Sequence, residues 1–107
     1  MLSKRANDKG YVYFVGMPLP PGLSKDPSLR FIKIGKSGKP LDRLSKLQTE
    51  NPFELTLVDY ISVTNMGQAE GIAHTLAKGN HYRGEWYRFP SFDAAQKMIE
   101  LIRLNIS

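Results

Sequence analysis

No cysteine occurs in the chain, which removes disulfides, thiolate catalysis and any cysteine-based zinc site at once. The same absence fits a reducing compartment. No apolar run approaches the roughly 20 residues needed to cross a bilayer, so no membrane partner is expected. The opening MLSKRANDK is basic, but no apolar stretch follows it. That argues against a signal peptide and for a cytoplasmic setting. Internal repeats and low-complexity tracts are lacking too. Acidic residues are scarce in the first half: residues 1–48 hold ten Lys or Arg against three Asp, whereas residues 49–107 hold five basic against seven acidic residues. A positive half attracts polyanions by steering and counterion release, although charge alone does not separate DNA from RNA or from a plain basic surface.

What is present is enough apolar material, 41% of 107 residues, for one modest core. The expectation is a single domain over 1–107 with its core at about 10–104. Tyr11 to Val15 reads as a β-strand of aromatic and branched residues. The segment from Gly16 to Pro27, with prolines at 18, 20 and 21, breaks it as a long loop. Arg30 to Ile34 predicts a second, antiparallel strand ending at Gly35. Pro40 opens a helix with Leu41, Leu44 and Leu47 along one stripe, stopped at Asn51-Pro52. Leu55 to Val63 predicts a third strand. Its strict alternation sets Asp59 among Leu55, Leu57, Ile61 and Val63, which calls for a bulge or exposure near Asp59.

Asn65 and Gln68 fit a helix cap, followed by an inward face of Ala69, Ile72, Ala73 and Leu76. Gly79 to Gly84 reads as a loop and Glu85 to Phe89 as a short extended piece. Ser91 caps a last helix over roughly Phe92 to Leu104, with Ala95, Met98, Ile99 and Ile102 inward. The predicted fold is α+β, a small three-stranded antiparallel sheet flanked by helices.

Five short pieces carry a resemblance: Tyr11-Val12-Tyr13, Lys33-Ile34-Gly35, Arg43 eight residues after that glycine, Glu70-x-x-x-His74, and Gly84-Glu85-Trp86-Tyr87. In this order they resemble the GIY-YIG nuclease superfamily. The likeness is closest to its phage- and bacteria-associated branch, in which lysine replaces the second tyrosine. It covers about residues 10 to 90. The resemblance implies a short antiparallel sheet flanked by helices and metal-dependent cutting of DNA phosphodiesters.

Carried over, Tyr13 and Lys33 stand at the two tyrosine positions, Arg43 at the catalytic arginine and Glu70 at the metal-binding glutamate. Glu85 lies near a late asparagine of many members. Leu47 stands where several members carry a histidine.

The chemistry agrees with those roles. Phosphodiester hydrolysis needs an activated water and positive charge on the phosphoryl oxygens. Arg43 offers a planar fork matched to phosphate. Glu70 suits a hard ion, Mg²⁺ or Mn²⁺, whose remaining ligands are waters and substrate. A phenol is a poor base near neutral pH. Lys33 is the expected cation to favour the phenolate of Tyr13 from the neighbouring strand.

Supporting positions are Tyr11, Lys36, His74 and Glu85, and no small-molecule organic cofactor is expected. His74 is open to three readings: orienting Glu70, meeting the phosphate, or packing. A zinc trio of His74, His81 and Glu85 has unsuitable spacing. Lys36, Ser37, Lys39 and Lys46 are candidates for holding nucleic-acid phosphates around the turn at Gly35 and Gly38, although the glycine spacing is not that of a P-loop. Trp86 and Tyr87 either close the core or stack on a base.

Three readings follow: a metal-dependent DNA endonuclease, a nucleic-acid-binding module of the same fold that cuts weakly or not at all, and an unrelated α+β binding protein. Cutting both strands would take two visits or a homodimer. Convergence of Tyr13, Lys33, Arg43 and Glu70 separates the third reading from the first two.

Overall fold

The computed structural model describes residues 8–17 and 29–107. The elements run β1 (Gly10–Met17), β2 (Arg30–Ser37), α1 (Pro40–Thr49), β3 (Thr56–Val63), α2 (Met66–Leu76), a 3₁₀ turn (Lys78–Asn80), β4 (His81–Arg83), β5 (Trp86–Phe89) and α3 (Phe92–Ile106). They form an α+β fold around one antiparallel sheet of order β3-β1-β2-β5-β4. The sheet therefore has five strands rather than the expected three. The stretch read as a Gly79–Gly84 loop holds the 3₁₀ turn and β4 instead. Gly84 makes the tight β4–β5 connection with φ +56°, a backbone region glycine enters without a Cβ clash. The strand expected over Tyr11–Val15 runs two residues further, because Gly16 and Met17 still pair with Ile32 and Phe31. The rest of the expected long loop, residues 18–28, lies outside the described residues.

Side-chain alternation sends residues to two unequal layers. Val12 and Phe14, with Ile32, Ile34, Ile61, Val63, Tyr87 and Phe89, face α2 and α3, and that layer is the main core. Helix α3 delivers Ala95, Ile99 and Ile102 to it, and Ser91 caps the helix by accepting from the Ala94 N–H. Helix α2 is capped by the Asn65 side chain, which accepts from the Gln68 N–H, and it buries Ala69 and Ala73. Small residues at these positions let the helix sit close on the sheet. Ile72, expected inward, is exposed.

The opposite face is thinner. Tyr13, Val15 and Leu55 are buried there with Met17, Leu44, Leu47, Leu57 and Trp86 packed around them. Helix α1 covers this face with no fully buried residue. Leu41 is 70% exposed, so the expected apolar stripe contributes only its last two leucines.

The alternation of β3 is broken where the sequence raised the problem. Phe14 pairs with Asp59 and Val15 with Leu57, leaving Val58 as an extra residue. This bulge puts Leu57 on the α1 face and Asp59 with Ile61 and Val63 on the other. The five residues of the expected stripe therefore do not share one side. Asp59 is partnered by Arg103 of α3, which satisfies its charge at the edge of the core.

Candidate functional site

The site forms where β2 outruns β5. Their pairing stops at Lys33 opposite Trp86, and β2 continues to Ser37. At Ile34 the backbone N–H still donates to the Glu85 carbonyl at 3.0 Å. The Ile34 carbonyl instead accepts from His74 Nε2 of α2 at 2.9 Å. A carbonyl can only accept, so Nε2 carries the hydrogen. This freed strand edge lets side chains from both faces of the sheet reach one place.

From the α1 face come Tyr13, Lys33 and Arg43. Tyr13, only 2% exposed, lies opposite Gly35 on β2. A Cβ at Gly35 would come within 3.0 Å of the Tyr13 ring Cε1 and nearer still to its Cζ and hydroxyl oxygen, so the ring rests directly on the glycine backbone. Arg43, on exposed α1, lies beside Tyr13, whose polar and charge interactions raise the Arg43 pKa against a smaller opposing effect of burial, with further support from Glu50 and Glu85.

Lys33 is diagonal to Tyr13 on the same face, opposite Val15. Its ammonium meets Glu85 Oε1 at 3.0 Å and lies 5.9 Å from the Trp86 ring centre, with the Lys33 side chain 13% exposed. The partner expected for Lys33 was Tyr13. The β4–β5 turn brings Glu85 to the ammonium, and Tyr13 has Arg43.

From the other face come Glu70, His74 and Lys36. One ligand atom each from Glu70, His74 and Glu85 lies within 4.8 Å of the others. Lys36 Nζ approaches Glu70 Oε1 at 4.0 Å. The two carboxyls titrate in opposite directions. Burial, then the charge of Glu85, raises the Glu70 pKa against the pull of His74 and Lys36. Burial also pushes Glu85 upward, but the hydrogen bond and charge of Lys33 outweigh it, and its pKa falls below the usual carboxylate value. The opposite shifts follow from the Lys33 ammonium at Glu85 and from the burial of Glu70 beside that carboxylate. Two carboxylate oxygens and an imidazole within this distance are a donor set that could hold a divalent cation.

Lys33 and Glu70 thus meet at Glu85, whose charge is also felt by Arg43 beside Tyr13. The remaining expected residues divide. Tyr11 turns away, its ring edge-on to Tyr60 at 5.4 Å. Ser37 Oγ accepts from the Lys39 N–H, which closes the turn internally. Lys39, just before α1, and Lys46 on α1 stay exposed, away from the carboxyl cluster's direct contacts.

The surroundings of Tyr87 and His81 are set by the tertiary structure. Tyr87 is buried with its ring 5.6 Å from that of His74 and 5.4 Å from that of His81. Its pKa is raised by burial and then by Glu85 and Glu70. His81 donates from Nε2 to the Gly84 carbonyl and so braces the turn that carries Glu85. The carboxyl cluster contains Glu70 with His74 and Glu85, and His81 is not among its members.

Compared with known proteins, residues 10–103 match the family described as the T5orf172 domain. No curated protein and no solved structure matches the chain.

Proposed function

Because the chain belongs to the T5orf172 domain family, a phage-associated domain of nuclease-like type, we propose that it is a divalent-cation-dependent endonuclease hydrolysing DNA phosphodiester bonds. The observation that carries this reading is the meeting of Tyr13–Arg43 and Lys33–Glu85–Glu70–His74 at the open edge of β2. A phosphate seated there has Arg43 on its non-bridging oxygens, where a permanent planar cation stabilises charge as it develops. Tyr13, fixed by Arg43 and the Gly35 backbone, takes or orients the proton of the attacking water. Lys33 holds Glu85 in place, and His74, anchored on the Ile34 carbonyl, stands beside Glu70.

Glu70 and Glu85, with His74, would hold Mg²⁺ or Mn²⁺. What such a cation supplies is Lewis acidity toward the phosphate and toward water. One site cuts one strand, so a double-strand break needs a second visit or a second copy.

Nicking of supercoiled plasmid with Mg²⁺ or Mn²⁺ tests the proposal, beside Glu70→Ala and Tyr13→Phe purified identically. The expected result is metal-dependent nicking by the parent that falls at least about a hundredfold in each variant. Nicking that survives both changes refutes the site. A second reading is a module of this fold that binds nucleic acid without cutting. It draws on the deep burial of Tyr13 and on the engagement of Lys33 with Glu85. Plasmid binding by a well-folded parent without nicking of plasmid, branched or single-stranded substrates would establish it.

A further inference from the structure

The β4–β5 hairpin carries an aromatic and basic surface that the chemistry above does not use. Tyr82 is 53% exposed. Its ring and that of Phe31 meet in a T-shaped contact with centres 4.9 Å apart, and the Arg88 guanidinium lies 5.6 Å from the Tyr82 ring centre. Phe31 and Arg88 are register partners across β2 and β5. Next along the same face is the Lys33–Trp86 pair, where Lys33 holds Glu85 of the site. Arg83 pairs with Trp86 from β4 and is exposed.

Neither Arg83 nor Arg88 has a carboxylate partner among the described residues. From residue 78 to 89 the chain holds Lys78, Arg83 and Arg88 against the single Glu85, and that carboxylate is neutralised by Lys33.

Half-exposed tyrosine braced by a second ring and bordered by unpaired arginines is a surface suited to a base and its flanking phosphates. The bracing matters. A ring already held by Phe31 and Arg88 loses little freedom when a base stacks on it, so more of the stacking energy appears as affinity. A duplex keeps its bases stacked on one another and offers this surface only its phosphates. A single strand offers both.

We infer that the β4–β5 hairpin binds a single-stranded DNA segment beside the cleavage site, with a base stacked on Tyr82 and phosphates on Arg83 and Arg88. The inference rests on the endonuclease reading for the word cleavage, but the surface stands on its own contacts. It makes the preferred substrate DNA with an unpaired stretch next to the scissile bond, such as a flap, fork or melted end.

The test is equilibrium binding of a fluorescent single-stranded oligonucleotide and of the matching duplex in EDTA, by anisotropy, with the full chain. The parent should prefer the single strand. Tyr82→Ala should weaken single-strand binding by about 5- to 100-fold and change duplex binding less than about twofold. Tyr82→Phe should restore the parent's preference, because stacking needs the ring and not the hydroxyl. Arg88→Gln should weaken both ligands and flatten their salt dependence.

Unchanged single-strand binding in Tyr82→Ala overturns the inference. Equal loss for single strand and duplex also overturns it. Since binding is read without metal, absent nicking leaves a positive result intact, and failure here leaves the nuclease assay to be judged separately.

Discussion

Replacing Gly35 with alanine tests the geometry of the site more directly than removing any charged group. The added methyl lies 3.0 Å from Tyr13 Cε1 and closer to Cζ and the hydroxyl oxygen. Ordinary carbon–carbon contact is about 3.5–4.0 Å, so the ring must shift by roughly 0.5–1 Å or more. It has little room, because Val15, Leu55, Leu44, Leu47 and Trp86 pack around it. Overpacking of this kind costs about 1–3 kcal/mol. The same shift pulls the hydroxyl from Arg43, and a misplacement of about 1 Å in a reacting group lowers rate by about a hundredfold.

Urea unfolding monitored by Trp86 fluorescence and plasmid nicking measure the two effects on one preparation. Gly38→Ala is the control, because nothing lies within 4 Å of a Cβ there. Normal stability with lost nicking would place the effect in alignment alone, and normal values for both would refute the reasoning.

The two carboxyls should answer pH in opposite senses. The folded pKa of Glu70 is raised, so its favourable contribution exists below the unfolded value and is lost as pH rises through the folded one. The folded pKa of Glu85 is lowered, so its contribution exists above the unfolded value and is lost as pH falls through the folded one. In EDTA at pH 7, Glu70→Gln should therefore be at least as stable as the parent. Glu85→Gln should lose about 1 kcal/mol by leaving Lys33 without its partner, and both differences should shrink on acidification. Denaturant titrations at several pH values read this, and the reverse order at pH 7 would contradict it. Elsewhere, Gly71 sits within α2 with open space where its Cβ would be. Gly71→Ala should stabilise by about 0.5–1 kcal/mol, visible as a higher urea midpoint, and a lower midpoint would show an unseen contact.

Local chemistry was legible along the chain because it acts over a few residues. Pro40 at the first turn, the Asn65 and Ser91 caps, the inward faces of α3 and the aromatic strand β1 all depend on neighbours within one or two turns. The broken alternation at Asp59 was visible as a conflict between one charge and four apolar residues. Its resolution by an extra residue, Val58, and by Arg103 was not, since that partner lies 44 positions away. Of the last two strands, β5 was legible as the extended piece over Glu85 to Phe89, whereas β4 was missed because its three residues are too few for a period to declare itself.

The site shows the same division. The residue types at positions 13, 33, 43, 70, 74 and 85 and their order are properties of the sequence, and they sufficed to name each group worth following. Which group meets which was decided in three dimensions. Lys33 went to Glu85 and Tyr13 to Arg43 because the pairing of β5 with β2 stops at Lys33, two residues before Gly35, leaving a strand edge that both faces of the sheet can reach. Pairing between strands is fixed by register and by where a strand stops, and these follow from packing of the whole chain rather than from any local pattern.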